Sequence, residues 1–149
     1  MVSPVMIDAK NPLYSVNGVF NAIFIHGNVL GDAMFYGSGA GKLPTASAVV
    51  ADVVDCAKNK GRNIMMSWSE EKLNLLQIDD VKSRFFVRVS GHAAERQSEI
   101  EELFGKVEIV AVPSLSEEFA FITGEITEQE YREKAEKLDG IQSRIRARI

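Results

Sequence analysis

The second half of the sequence predicts an α+β fold with strands and helices in the order βαββαβ. Two observations lead to this prediction. Apolar and polar residues alternate from Arg84, which places Phe85, Val87 and Val89 on one face of a strand. Farther along, Thr127 and Glu130 have the spacing of a capping box, which marks the start of a helix.

The remaining elements of this half follow in order. A helix is predicted over 93–104 with Ile100, Leu103 and Phe104 facing inward, and Gly105 ends it. Strands are predicted over 107–112 and 119–126, and the helix after Thr127 carries a stripe of Tyr131, Ala135 and Leu138. The order βαββαβ is that of the ferredoxin-like arrangement, in which two helices cover one face of a four-stranded antiparallel sheet.

The last predicted strand alternates isoleucine, serine and alanine with Arg144, Arg146 and Arg148. A basic stripe of this kind can bind anions. A solvated face whose arginines pair with glutamates is the more common outcome, and we predict that outcome here.

Residues 1–60 have a different character. They predict an edge strand over 2–7 that contains Pro4, a hairpin over 21–36 that turns at Gly27-Asn28, and a glycine-rich loop over 36–45. That loop opens into a helix with an apolar stripe, which ends before Gly61. Because these elements cannot cover one another's apolar surfaces, we expect them to be cut, at the amino end, from a larger domain. The stretch 61–80 is predicted to be a connector.

Composition and charge exclude several functions. The chain has 149 residues, 46% of them hydrophobic and 26% charged, which is ordinary for a globular protein. Its net charge of −4, with both signs interspersed, gives no footprint for nucleic acid. Its apolar runs are too short or too interrupted to cross a bilayer. With one cysteine and two distant histidines, it offers neither a disulfide nor a recognisable metal site. We therefore expect a cytoplasmic protein with no nucleic-acid or membrane partner.

Three runs carry a family resemblance: residues 12–22 (PLYSVNGVFNA), 35–41 (FYGSGAG) and 44–52 (PTASAVVAD). Together they resemble bacterial homoserine dehydrogenase. The run 81–88 (VKSRFFVR) is similar to the first strand of the ACT domain that follows the catalytic domain in many of these enzymes. The resemblance implies a reaction, the NAD(P)-dependent interconversion of aspartate semialdehyde and homoserine on the way to threonine and methionine.

The resemblance also bears on the site residues. Gly37, Gly39, Ala40, Gly41 and Thr45 are the candidates for cofactor binding, because a loop poor in side chains lets backbone amides approach a ligand. The alternative is a tight turn without a ligand. The sequence has no dinucleotide fingerprint, and the family's catalytic lysine and substrate carboxylates lie upstream of the region resembled. We therefore predict no catalytic residue, no metal site, no tight cofactor binding and no activity for this chain alone.

In ACT domains the turn after the first strand commonly binds an amino acid. Here that turn contains Ser90, Gly91 and His92, which are the candidates for binding an effector such as threonine. The turn lacks the usual acidic-x-Pro-Gly signature, so a domain kept for assembly is the competing interpretation.

These observations divide the chain into 1–60, the end of a catalytic and dimerisation domain; 61–80, a connector; and 81–149, an ACT-type regulatory domain. A homo-oligomer, most simply a dimer, is the expected assembly. The alternative from another class is a freestanding ACT-type regulatory or oligomerisation module. An unrelated enzyme would need a cofactor or metal constellation that the sequence does not offer.

Overall fold

The computed structural model describes residues 1–62 and 66–149. It contains eight strands and three helices within these ranges, so the predicted α+β class is confirmed. The strands are β1 (Val5–Ile7), β2 (Phe20–Gly27), β3 (Gly31–Ser38), β4 (Lys82–Ser90), β5 (Glu108–Val110), β6 (Glu118–Ile122), β7 (Ile126–Thr127) and β8 (Ile141–Arg148). The helices are α1 (Lys42–Lys58), α2 (Ala93–Phe104) and α3 (Glu128–Ala135), and short 3-10 turns cover Pro12–Ser15 and Ile78–Asp80.

The chain forms two compact units. The sheet unit consists of Met1–Asp8 and Leu73–Ile149, and the hairpin unit consists of Ala9–Lys72. Of the predicted connector, residues 63–65 lie outside the described residues, and 66–77 carry no helix or strand. Sequence reasoning grouped the first strand with the hairpin, whereas the structure pairs β1 with β8 in the sheet unit.

The sheet unit is built on five strands in the order β1-β8-β4-β6-β5. β4 lies antiparallel to both β8 and β6, and β5 is antiparallel to β6, while β1 pairs in parallel with β8. Short β7 pairs with the beginning of β4. The sheet is therefore mixed, with its parallel pair at one edge.

The core lies on one face of this sheet, between the strands and helices α2 and α3. As the alternation predicted, Phe85, Val87 and Val89 are completely buried, and Ile100 and Phe104 of α2 pack against them. The prediction for α2 is confirmed at both ends, since Gly105 follows it with φ 77°, a left-handed conformation that glycine adopts without strain. The capping box at α3 is also confirmed: the Thr127 hydroxyl accepts from the Glu130 amide, and the Glu130 carboxylate accepts from the Thr127 amide.

β8 departs from the prediction. Its register against β4 shifts between Arg88 and Val89, so that Ile141 lies opposite Val89 while Arg144 lies opposite Val87. Directly paired residues point to the same face of a sheet. The bulge therefore puts both Ile141 and the arginines on the helix-covered face, and Ile145 on the other face opposite Phe86.

The arginines on the covered face do pair with a glutamate, as predicted, but they are not a fully solvated stripe. Glu128 is buried and accepts from Arg144 Nη1 at 2.9 Å and from Arg146 Nε at 2.5 Å. The Arg144 guanidinium also lies over the Tyr131 ring, 4.6 Å from its centroid. One buried carboxylate thus holds two arginines against the aromatic core.

The hairpin unit leaves its apolar side chains uncovered. β2 and β3 pair antiparallel from Phe20↔Ser38 to Gly27↔Gly31, close to the predicted hairpin. Helix α1, which lies wholly within the described residues, has no buried side chain, although its predicted valine stripe is present. None of the described helices is both long and apolar enough to cross a membrane.

Candidate functional site

The predicted effector turn borders a cavity of about 250 Å³ in the sheet unit. Gly91, His92 and Ala93 form one side of it, where β4 passes into α2. The opposite side comes from the segment between β5 and β6 and from the start of β6, with the lining residues Ala111, Val112, Pro113, Leu115, Ser116, Glu118 and Phe119. Gly91 and His92 are thus brought to one cavity.

Ser90 is not among the residues that line this cavity. Its amide donates to the carbonyl oxygen of Gly140 at 3.0 Å, and its hydroxyl donates to the same oxygen at 3.3 Å. Its polar groups therefore serve the contact between the β4 end and the turn before β8. We assign Ser90 to holding the turn in place.

The backbone at Gly91 explains why glycine stands there. Its φ of 103° lies in the region that L side chains rarely adopt, and its amide donates to the Glu117 carbonyl oxygen at 2.9 Å. This bond ties the turn to the segment that forms the opposite wall of the cavity. Glycine therefore supplies a backbone conformation at this turn that other residues would adopt only with strain.

The lining of the cavity is mostly apolar, and His92, Ser116 and Glu118 contribute its polar side chains. Glu118 is the acidic group, and its carboxylate accepts from Arg88 Nε at 3.1 Å. His92 is the N-cap of α2 and makes no side-chain capping bond, and the first amides of a helix lack partners within the helix. A small molecule with an apolar part and a charged end matches this chemistry. Sequence reasoning missed the 111–119 wall, for which Pro113 between two strands was the available signal.

The glycine-rich loop lies in the hairpin unit. Gly37 is the last but one residue of β3 and pairs with Asn21. A Cβ at Gly39 would lie 1.4 Å from Asn21 Nδ2, so the Asn21 side chain can occupy its place only because residue 39 is glycine. Gly41 is the N-cap of α1 with φ 121°. The loop is thus a strand-to-helix turn in which glycine is required at two positions for different reasons.

Some of the predicted cofactor-binding residues meet at a shallow surface cavity of about 240 Å³. Gly37 and Gly39 line it together with Asn21, Ala22, Ile23, Phe35 and Ser38. Ala40, Gly41 and Thr45 do not line it. The Thr45 hydroxyl donates to the Gly41 carbonyl oxygen at 2.9 Å, so it closes the first turn of α1.

Shifted pKa values occur away from both cavities. Burial raises the pKa of the Tyr131 phenol, which lies in the core beneath Arg144. The hydrogen bonds from Thr127 lower the pKa of the Glu130 carboxyl at the start of α3. Over residues 1–62 and 66–149, no group of three or more His, Cys, Asp or Glu side chains is close enough to hold a metal ion.

Comparison with known proteins links the hairpin unit to one family. Residues 1–54 match the model of the family "Homoserine dehydrogenase". The homoserine dehydrogenase of Lactococcus lactis subsp. lactis is 42% identical over 91 residues, 59% of this chain and 21% of that protein. That of Corynebacterium glutamicum is 54% identical over 59 residues, 40% of this chain and 13% of that protein. The chain spans about a fifth or less of the length of these relatives.

Solved structures extend the likeness to nearly the whole chain. The Staphylococcus aureus homoserine dehydrogenase structure at pH 7.0 superposes with a TM-score of 0.70 at 25% identity, covering 98% of this chain and 37% of that one. The homoserine dehydrogenase of Thiobacillus denitrificans superposes with a TM-score of 0.74 at 24% identity, covering 98% of this chain and 38% of that one. This second match indicates a similar fold. The likeness thus includes the sheet unit, beyond the residues that the family model matches.

Proposed function

We propose that this chain is the carboxy-terminal portion of a homoserine dehydrogenase, consisting of the end of its catalytic domain followed by an ACT-type domain. The match of residues 1–54 to that family carries the proposal, because it falls on the hairpin and the glycine-rich loop. The whole enzyme would interconvert aspartate semialdehyde and homoserine with a nicotinamide cofactor. In this proposal residues 1–60 complete the substrate and dimerisation region.

The glycine-rich loop contributes part of the cofactor site. The space around Gly37 is open, since a Cβ there would meet no atom within 4 Å, and this fits the close approach of a ligand. Gly37 and Gly39 would face the cofactor, while Ala40, Gly41 and Thr45 shape the turn into α1. NAD(P) supplies hydride transfer when bound. Because the sequence contains no dinucleotide fingerprint, this portion alone neither binds the cofactor tightly nor turns over substrate.

The sheet unit supports the ACT-type assignment of 81–149. Its strands β8-β4-β6-β5 are antiparallel to their neighbours, and helices α2 and α3 contact the same core residues. This is the strand order of a ferredoxin-like βαββαβ domain, with its first strand beside its last. The cavity at Gly91 and His92 is the proposed effector site, and threonine, the end product of the pathway, is the first amino acid to test.

The uncovered apolar surface supports a homodimer. Val49, Val50, Val53 and Val54 of α1 are all exposed, as are Ile23, Ile25 and Phe35 of the hairpin. Monomeric proteins rarely expose so much apolar surface in one region. Val50→Lys combined with Val53→Lys should shift the sedimentation of the chain towards the monomer, while Glu102→Lys on α2 leaves it unchanged.

A chimera tests the proposed identity. The matching segment of the Lactococcus lactis enzyme would be replaced by this chain, and the oxidation of homoserine with NADP would be followed by absorbance. We expect activity in the chimera and none in this chain alone or in the Lactococcus lactis enzyme without the segment. A folded chimera that binds NADPH but lacks activity would count against the proposal, and turnover by this chain alone would contradict the incomplete site.

The second candidate is a freestanding ACT-type regulatory or oligomerisation module. It is favoured by the sheet unit, whose core is complete without the hairpin unit. Calorimetric titration with threonine, methionine, isoleucine and NADPH, taken together with the chimera, distinguishes the enzyme portion from the freestanding module. Binding of an amino acid together with an inactive chimera would favour the freestanding module.

A further inference from the structure

Arg96 reaches from the first turn of α2 into the space between two backbone turns. Its Nη1 donates to the Ser90 carbonyl oxygen at 3.0 Å, and its Nη2 donates to the Asp139 carbonyl oxygen at 2.9 Å. Nε and Nη2 also donate to Glu99 Oε2 at 3.1 and 3.0 Å. The side chain is 18% exposed, so these bonds are largely shielded from water. One guanidinium thus joins the end of β4 to the turn before β8.

Two glycines make room for this contact. A Cβ at Gly91 would lie 3.1 Å from Arg96 Cδ. At Gly140, a Cβ would lie 2.4 Å from Ser90 Oγ and 3.1 Å from Arg96 Nη1. Both glycines also have a positive φ, 103° and 78°, so other residues would strain the backbone as well as crowd the arginine. The turns at Gly91 and Gly140 therefore both depend on glycine to pack against the Arg96 side chain.

The bonds fix the peptide group that leads into the cavity. The carbonyl of the Ser90–Gly91 peptide accepts from Arg96, and its amide donates to the Glu117 carbonyl oxygen at 2.9 Å. Both polar groups of that peptide are therefore occupied within the protein. The orientation of the next residues, Gly91 and His92, follows from it, and these residues line the cavity.

We propose that Arg96 is the positioning residue of the effector cavity. By holding the Ser90–Gly91 peptide against the Asp139–Gly140 turn, it sets the wall formed by Gly91 and His92 before any ligand arrives. The inference rests on the proposed amino-acid-sensing function for the identity of the ligand. A preorganised wall avoids the ordering that binding would otherwise require, which strengthens binding.

Lysine cannot take over this role. The planar guanidinium presents its donors in a fixed fork, here towards two carbonyls and one carboxylate, while an ammonium is a single point charge on a flexible stem. Arg96→Lys therefore keeps the charge and loses the geometry. Arg96→Met keeps most of the apolar stem and loses every donor. Glu99→Gln is the matched control, because it removes the carboxylate partner and leaves both carbonyl contacts of Arg96.

Amide hydrogen exchange of the purified chain tests the positioning role without a ligand. We expect the amides of Ser90 and Gly91 to exchange about tenfold faster or more in Arg96→Lys and Arg96→Met, as a lost charge-assisted bond implies. The amides of Val87 and Phe121 in the neighbouring strands report on the fold and should keep their protection. The Glu99→Gln control should resemble the wild type. Unchanged exchange at Gly91 in both Arg96 variants would overturn the proposal.

Calorimetric titration with threonine, isoleucine and methionine tests the consequence for binding. An amino acid that binds the wild-type chain should bind Arg96→Lys about tenfold more weakly or worse, with little change for Glu99→Gln. Equal affinity in a variant whose turn exchanges faster would also overturn the proposal. If none of the three binds the wild-type chain, amino-acid sensing fails as the proposed function, while the exchange experiment still decides the role of Arg96.

Discussion

The two units of this chain differ in how far they bury their apolar side chains. In the sheet unit, Phe85, Val87 and Phe121 are completely buried beneath α2 and α3. In the hairpin unit, α1 carries an equally regular apolar stripe and buries none of it. Because a helix gains most of its stability from packing its apolar face, the two units differ in what they need from other surfaces. The sheet unit has a hydrophobic core of its own, whereas the hairpin unit leaves the apolar stripe of α1 uncovered.

The largest expected effect separates the two units directly. Phe121→Ala should destabilise the sheet unit by about 3–5 kcal/mol, because the ring is fully buried and its removal leaves a cavity beside Phe104. Leu43→Ala at the start of α1, which is 79% exposed and outside the proposed dimer surface, should cost less than about 0.5 kcal/mol. Urea denaturation followed by circular dichroism measures both. Equal losses would break the comparison.

A somewhat smaller effect is expected at the buried carboxylate of the sheet unit. Glu128→Gln leaves Arg144 and Arg146 without their counter-charge and should cost about 2–3 kcal/mol. We place the cost below the usual range for buried pairs because Arg144 is partly exposed and water can solvate it. The control is Glu118→Gln, which breaks the more exposed pair with Arg88 and should cost at most about 1 kcal/mol. A loss of the same size in both would contradict a distinct role for Glu128.

The two units also differ in how the first turns of helices α3 and α1 are capped. α3 begins with a complete capping box, whereas the N-cap of α1 is Gly41, which has no side chain to cap it. Thr127→Ala should destabilise the sheet unit by about 1 kcal/mol, because it leaves the Glu130 amide without its acceptor. Ser47→Ala in α1 should change stability by less than about 0.5 kcal/mol. Thermal unfolding of the three chains gives the comparison.

The smallest effect is a pH dependence from the same capping box. Hydrogen bonds from Thr127 lower the folded-state pKa of Glu130 below its ordinary value of 4.5. The stabilisation is therefore present above pH 4.5 and is lost as pH falls through the lowered folded-state pKa. The stability difference between wild type and Glu130→Gln should shrink over that range. In a Thr127→Ala background the pH dependence should be reduced but retained, because the backbone amide of residue 127, the largest cause of the lowered pKa, still donates to the Glu130 carboxylate. Complete loss of the difference in that background would contradict this assignment.

Local patterns predicted much of the sheet unit. The alternation at Phe85, Val87 and Val89 placed β4 and its buried face, and the glycine after Phe104 placed the end of α2. The capping box placed the start of α3. These signals work because each depends on residues a few positions apart. The predicted strand over 119–126 instead ends at Ile122, and a separate short strand covers Ile126–Thr127.

The face assignment in β8 could not be read from its own residues. Alternation alone put Ile141 and Ile145 on one face, and the bulge against β4 separates them. A bulge is a property of two paired strands. The partner of the arginines, Glu128, lies in another element, so their burial depends on a contact that β8 by itself does not encode.

The candidate sites were predictable in part for the same reason. The turn between a strand and a helix predicted Gly91 and His92, and the glycine-rich loop predicted Gly37 and Gly39; each pair lines a cavity. The second wall of the cavity at Gly91 and His92 comes from a segment about twenty residues away in sequence. The contact of Arg96 with Asp139 spans more than forty residues. Only the folded sheet brings these groups together.

The pairing of β1 with β8 joins the two ends of the described chain. Val5 pairs with Arg146 and Ile7 with Arg148, so this edge of the sheet is completed by the most distant partners in the sequence. Contacts of high sequence separation form at the largest entropic cost of loop closure, so this edge should be the last part of the sheet to assemble and the first to fray. The hairpin unit lies in sequence between the two segments of the sheet unit, and removal of either β1 or β8 would leave the other strand without this pairing.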